Sequence, residues 1–174
     1  MQGCIAVFVA GAAAGGLVVY DRRTIKTTYE DQHISYLISN KVYEDNDMNK
    51  NAHIVVETFN HVVLLAGQVP SDDMRQRAQQ YAESTPGIAR VYNEITVSGL
   101  TSPLTRSSDA WITSKARALM LATKGLKSTQ IKTVTENGTV YLMGVLSPDQ
   151  AELAVNTVRR ISGVQRVVKI FEYK

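Results

Sequence analysis

Two kinds of hydrophobic pattern alternate along this chain. The β-rich runs Ile54-Val55-Val56 and Val62-Val63-Leu64-Leu65 lie on either side of Phe59-Asn60-His61. The runs Ile131-Lys132-Thr133-Val134 and Val140-Tyr141-Leu142-Met143 flank Glu136-Asn137-Gly138 in the same way. Short β-branched runs around such a turn predict hairpins, and Asn-Gly is the strongest turn signal because both residues accept positive φ. Helical stretches precede and follow each hairpin. The later helix starts after Pro70-Ser71 or Ser147-Pro148, where Ser caps and Pro fits the first turn, and it stops at Gly87 or Gly163. A last strand closes each set.

The two sets are copies of one unit. The first runs from Asp31-Gln32-His33-Ile34 to Val91-Tyr92-Asn93-Glu94-Ile95, the second from Asp109-Ala110-Trp111-Ile112 to Arg166-Val167-Val168-Lys169-Ile170. Asn60 matches Asn137, Gly67 matches Gly144 and Gly87 matches Gly163, at an offset near 77 residues. The unit reads α-β-β-α-β, with two helices covering one face of a three-stranded sheet, so the fold class is α+β. The expected organisation is a tether over 1–29, a first domain over 30–97, a Ser/Thr-rich linker over 98–108 and a second domain over 109–174. A unit of roughly 70 residues has a small core, which makes packing of the two units against each other an expectation.

The helix expected over 109–125 has two faces. At about 100° per residue, Ile112, Ala116, Leu119 and Thr123 cluster on the side that packs on the sheet. Trp111, Ser114, Ala118, Leu121, Ala122 and Gly125 point the other way, bordered by Arg117 and Lys124 on one side and Lys115 on the other. An outward stripe of this kind suits a lipid surface: the Trp ring sits well at the headgroup boundary, and small residues let the helix lie close. Each cation near an anionic surface contributes about 1 kcal/mol. Lys127 and Lys132 add to the field if they share that side. In the first copy the matching positions are His33, Tyr36, Asn40, Tyr43 and Glu44, followed by Asp45 and Asp47. That face reads as polar and ends in acid, so the first unit is expected to act as a spacer or a protein-contact surface. The alternative for Trp111, which stands next to the linker, is burial between the domains or against a partner, and the chain is then an interaction adaptor. A third reading is a dimerising scaffold that uses an exposed strand edge.

Charge sharpens the contrast between the copies. The formal net charge is +3, yet residues 30–98 carry five basic side chains against ten acidic ones, and residues 99–174 carry eleven against five. The first part repels anionic surfaces and the second is drawn to them.

The N-terminus holds the one cysteine, Cys4, in Met1-Gln2-Gly3-Cys4, ahead of an apolar Ala/Gly-rich run over 5–19. Fifteen residues are short for a spanning helix, which needs about 20. Gly11 and Gly15 give only a weak helix-pairing signal. Gly-Cys in this position resembles the end of a lipobox, and the sequence is expected to start near the mature boundary with lipid attached at Cys4.

The repeated unit resembles the BON domain of bacterial envelope proteins. The resemblance rests on Asp109-Ala110-Trp111-Ile112-Thr113-Ser114-Lys115, Thr135-Glu136-Asn137-Gly138, Leu142-Met143-Gly144 and Val91-Tyr92-Asn93-Glu94-Ile95, and extends to Gln2-Gly3-Cys4. It covers nearly all of residues 30–174 and is similar in layout to dual-BON-domain lipoproteins of Gram-negative bacteria. The resemblance implies an outer-membrane lipoprotein facing the periplasm. Its second domain would bind anionic phospholipid such as phosphatidylglycerol or cardiolipin, and it would support envelope integrity, gather at division sites and meet other envelope proteins.

Enzyme chemistry has no foothold in the sequence. His33, His53 and His61 are the only histidines, and no Cys, second carboxylate or HExxH arrangement joins them, so neither metal nor cofactor is expected. Asp72-Asp73 falls at a helix start, where carboxylates are favourable for structural reasons. No Gly-rich phosphate loop follows a strand, and no residue pair reads as nucleophile and base. Nucleic acid is not expected either, since there is no GxxG loop between helices and no row of strand aromatics.

Overall fold

The structure, a computed structural model, describes residues 25–174. Cys4 and the apolar run that follows it lie outside the described residues. The first unit contains α1 (Ile25–Glu44), α2 (Asn46–Asn51), β1 (His53–Phe59), β2 (Val62–Val69), α3 (Asp72–Glu83) and β3 (Arg90–Val97). The second contains α4 (Pro103–Ala122), a 3₁₀ turn (Ser128–Gln130), β4 (Ile131–Glu136), β5 (Thr139–Leu146), α5 (Pro148–Val158) and β6 (Arg166–Tyr173). The sheets run β1-β2-β3 and β4-β5-β6. In each, the central strand pairs antiparallel with the hairpin partner and parallel with the last strand. The α+β fold of two αββαβ units read from the sequence is the observed one, with α2 as an extra turn in the first copy.

Each copy locks its hairpin turn with the same carboxylate. Asn60 and His61 have φ of 51° and 62°, and Asn137 and Gly138 have 47° and 71°. Two successive left-handed residues turn their amides to one side, where they need an acceptor. Asp31 accepts from both Asn60 N and His61 N at 2.8 Å, and Asp109 accepts from Asn137 N at 2.8 Å and Gly138 N at 2.9 Å. The matched glycines are also explained. A Cβ on Gly67, at φ +125°, would stand 1.9 Å from the His53 carbonyl oxygen, and one on Gly144 would stand 2.7 Å from that of Gln130.

The central strands are sandwiched. Val63, Leu65 and Val69 of β2 face Ile34, Ile38, Ala78 and Ala82 of their own helices. Val140, Leu142 and Leu146 of β5 face Ile112, Ala116, Met120, Ala154 and Val158. The alternate residues meet across the domains, where Phe59, Val62, Leu64 and Ala66 pack on Val134, Tyr141, Met143 and Ile170. The sheets therefore stack face to face with the helices outside, and every residue of β2 is buried.

Polar ties ring this seam. His53 meets Glu136 at 3.3 Å, and Lys132 pairs with Glu57 and donates to the Thr58 carbonyl, so edge strands β1 and β4 run antiparallel to each other. On the far side Asn60 donates to Glu172 at 2.6 Å, and Arg166 meets Glu94 at 3.3 Å. Burial, with Glu94 adding to it, pushes the Tyr141 phenol above its ordinary range.

Two boundaries differ from the sequence reading. Residues 25–29, inside the stretch assigned to the tether, are already helical in α1, and α4 opens at Pro103, inside the stretch assigned to the linker. The cause at α4 is local: Ser102 caps the helix by accepting from Thr105 N at 3.1 Å, and Pro103 takes the first helical position. The helix also stops earlier than expected, at Ala122, so Lys124 and Gly125 lie in the turn beyond it, with Gly125 at φ +83°.

Candidate lipid-facing site on the second domain

Helix α4 divides along its axis as the 3.6-residue period demands. Ile112, Ala116 and Met120 are buried against the sheet, with Leu119 and Thr123 partly covered. Met120 also belongs to this inner face. The opposite face is open. All eight residues expected to meet lipid are exposed: Trp111, Ser114, Lys115, Arg117, Ala118, Leu121, Ala122 and Lys124. Trp111 is 53% exposed and Leu121 72%. Trp111 takes no part in the seam, which is filled by the strand side chains named above. The interdomain burial of Trp111 weighed from the sequence is therefore corrected.

The stripe is longer than the sequence reading made it. Leu104, 80% exposed, lies two turns before Trp111 on the same side of the helix. A helix beginning at Asp109, as the repeat indicates, leaves Leu104 out. Ser102-Pro103 could have found it, being the same cap signal that placed the start of α5 at Ser147-Pro148.

The polar atoms within the stripe are already satisfied. Ser114 donates to the Ala110 carbonyl at 2.9 Å and Ser107 to that of Pro103 at 3.0 Å. Hydroxyls bonded back onto their own helix lose little when water leaves, so this face dehydrates at lower cost than its composition suggests.

The electrostatics are one-sided. Asp109 is the only acid between residues 100 and 135, and it is buried with both oxygens on the hairpin amides. Lys115, Arg117, Lys124 and Lys127 stand exposed around the stripe. Arg117 donates to the Thr133 carbonyl at 3.0 Å, a neutral acceptor that fixes the guanidinium and leaves its charge in place. Lys132 does not add to this field as expected, because Glu57 of the first domain pairs with it.

The first domain carries a different face. Ile25, Tyr29, Tyr36 and Tyr43 of α1 are 92%, 68%, 61% and 69% exposed. The three tyrosines are spaced seven residues apart and form one stripe, with His33 stacked on Tyr29 at 6.3 Å. This face, read as polar from the sequence, is aromatic. Its end is acidic, at Glu44, Asp45 and Asp47.

Asp45 is engaged by its own fold. It caps α2 and meets Arg77 and the Tyr81 hydroxyl. Burial works against its charge, but the Met48 amide, Tyr81 and Arg77 together hold its carboxyl below the usual carboxylate range. Among the described residues no three His, Cys, Asp or Glu side chains gather as a metal site, and no helix is long and apolar enough to cross a membrane.

Comparison with known proteins agrees with the duplicated fold. The BON domain profile matches residues 37–99 and 108–174. Outer membrane lipoprotein DolP of Haemophilus influenzae is 35% identical over 99% of this chain and 90% of its own length. The 21 kDa hemolysin of Actinobacillus pleuropneumoniae is 33% identical over 88% of this chain and 79% of its own. Osmotically-inducible protein Y of Escherichia coli is 29% identical over 71% of this chain and 63% of its own. The chain belongs to the BON-domain family, as a two-domain member similar to DolP.

Proposed function

We propose that this chain is an envelope lipoprotein whose second domain holds an anionic phospholipid surface through the outer face of α4, with Cys4 carrying the lipid anchor to the outer membrane. One observation carries the reading. Leu104, Trp111 and Leu121 form an exposed apolar stripe ringed by cations, and Asp109, the one acid between residues 100 and 135, is buried. Four cations at about 1 kcal/mol each supply a moderate attraction. An attachment of that size is reversible alone and becomes stable when a lipid chain adds to it. The likeness to an outer membrane lipoprotein supports the anchor. Support of envelope integrity and placement at division sites follow from the family resemblance. The molecule is read as a binding module, not as an enzyme.

Trp111 is the only tryptophan, so its emission reports on this face alone. Vesicles containing phosphatidylglycerol or cardiolipin shift that emission to the blue, and phosphatidylcholine vesicles leave it unchanged. A spectrum that anionic vesicles do not move overturns the reading. The aromatic stripe on α1 favours a second role, a protein-contact face on the first domain. Tyr36→Ser with Tyr43→Ser then weakens capture of an envelope partner while vesicle binding stays intact.

A further inference from the structure

In the second domain a groove of about 450 Å³ runs between α5 and β6. Ala151, Val155 and Arg159 of α5 form one wall, at the four-residue spacing of a single helix face. Lys169 and Tyr173 of β6 form the other. Both walls stand apart from the exposed stripe of α4.

The strand on this groove has an open edge. β6 lies at the end of its sheet and pairs with β5 alone. Arg166 N and Lys174 N donate to the Gly138 and Leu146 carbonyls. The register between them is unbroken, and a parallel strand alternates its amides, so those of Val167, Lys169, Phe171 and Tyr173 point to the open side. Backbone groups on an edge are a template for another strand. The same four residues turn their side chains toward α5. Val167 and Phe171 pack on the helix-covered core, and Lys169 and Tyr173 line the groove. An edge strand beside a helix-walled groove is suited to strand addition, in which backbone hydrogen bonds hold an extended segment and the groove takes its alternate side chains.

In the first domain the matching elements are tied together. Asn93 matches Lys169 at the offset that relates Gly87 to Gly163, and Gln79 matches Val155. Asn93 donates to the Arg75 carbonyl at 3.1 Å and to Gln79 Oε1 at 3.2 Å, which joins β3 to α3. Val155 has no side-chain acceptor with which to repeat this tie.

Charge selects the occupant. Lys169 and Arg159 are exposed, and neither side chain has a partner among the described residues. Glu152 is the one acid lining the groove. A lysine on an edge deters strands at large, because covering it strips water from its charge. A strand that sets carboxylates against Lys169 and Arg159 offsets that cost, and one that brings lysines adds repulsion.

We propose that β6 and α5 form a docking groove for an acidic extended segment of a partner protein. The segment adds as a strand to β6 and places its carboxylates against Lys169 and Arg159.

The test uses the full chain carrying Cys4→Ser and two blocked heptapeptides, one alternating Val with Glu and the other Val with Lys. Backbone amide shifts and exchange are followed as each is added. The Glu peptide is expected to slow exchange at Val167, Lys169, Phe171 and Tyr173 saturably, and to bind about tenfold more tightly than the Lys peptide. Lys169→Glu, at an exposed site, is expected to reverse that order. Val155→Gln with Lys169→Asn rebuilds the tie of the first domain and is expected to abolish binding without lowering the thermal midpoint. Equal binding of the two peptides, unchanged exchange along β6, or binding retained by the folded double variant overturns the proposal. Protection of the four amides with no peptide present, in a chain that sediments as a dimer, shows that a second copy covers the edge and overturns it as well.

Discussion

At the residue scale, Asp31 and Asp109 do the same work in both copies. Each is buried and satisfies two amides of a left-handed turn. Hydrogen bonds to a charged acceptor contribute about 1.5–3 kcal/mol each, and the amides left behind would be orphaned. Asp109→Ala is therefore expected to destabilise the chain by about 3 kcal/mol, read as a lower midpoint in urea denaturation. A midpoint equal to the parent's would show that the turn holds without it. These aspartates were visible in the sequence only as the first residue of each repeat. Their partners were not legible, because the carboxylate and the turn lie about thirty residues apart in the chain and meet only when the helix packs on the hairpin. Gly67 and Gly144, in contrast, were legible as a matched pair, and their reason emerged only with the carbonyls that crowd them.

At the element scale, the helices show where local signals suffice. Ser71 caps α3 and accepts from Met74 N at 3.3 Å, as the sequence indicated. The Ser/Thr-rich composition of residues 98–108 reads as linker, but Ser102-Pro103 within it starts α4, because Ser102 caps and Pro103 fits the first turn. Loss of that cap, as Ser102→Ala, is expected to lower stability by about 1 kcal/mol. The measurable sign is faster amide exchange over the first turn of α4, and unchanged exchange there would contradict the cap.

Helix α2 carries a pH dependence. The carboxyl of Asp45 sits below its unfolded value, so the stability it brings is present above the ordinary aspartate range. That stability is lost as pH falls through the folded value, below about pH 4. Asp45→Asn keeps a good cap and loses the charge. Its thermal midpoint should lie below the parent's at neutral pH and approach it in acid. A constant gap across that range would place the effect elsewhere.

At the scale of the whole molecule, the seam makes two small domains into one stable body. Each unit buries one sheet face under its own helices and needs the other unit to cover the second face. Small unit size alone made mutual packing an expectation. Which faces would meet depended on contacts between residues more than seventy positions apart. Calorimetry is expected to show one cooperative transition for both domains, and Met143→Ala in the seam to cost about 2–4 kcal/mol to the whole. Two well-separated transitions in the parent would contradict the shared core.

The same arrangement frees α4 for its proposed work. With the seam filled by strand side chains, Trp111 is left facing out beside Leu104 and Leu121. The measurement that bears most directly on the account is co-sedimentation of the chain carrying Cys4→Ser with phosphatidylglycerol-rich or phosphatidylcholine vesicles, compared with the same chain bearing Trp111→Glu. The account predicts that the Cys4→Ser chain sediments only with the anionic vesicles, and that Trp111→Glu, folded by circular dichroism, stays in solution. Equal sedimentation of the two proteins, or none by either, would contradict α4 as the membrane face.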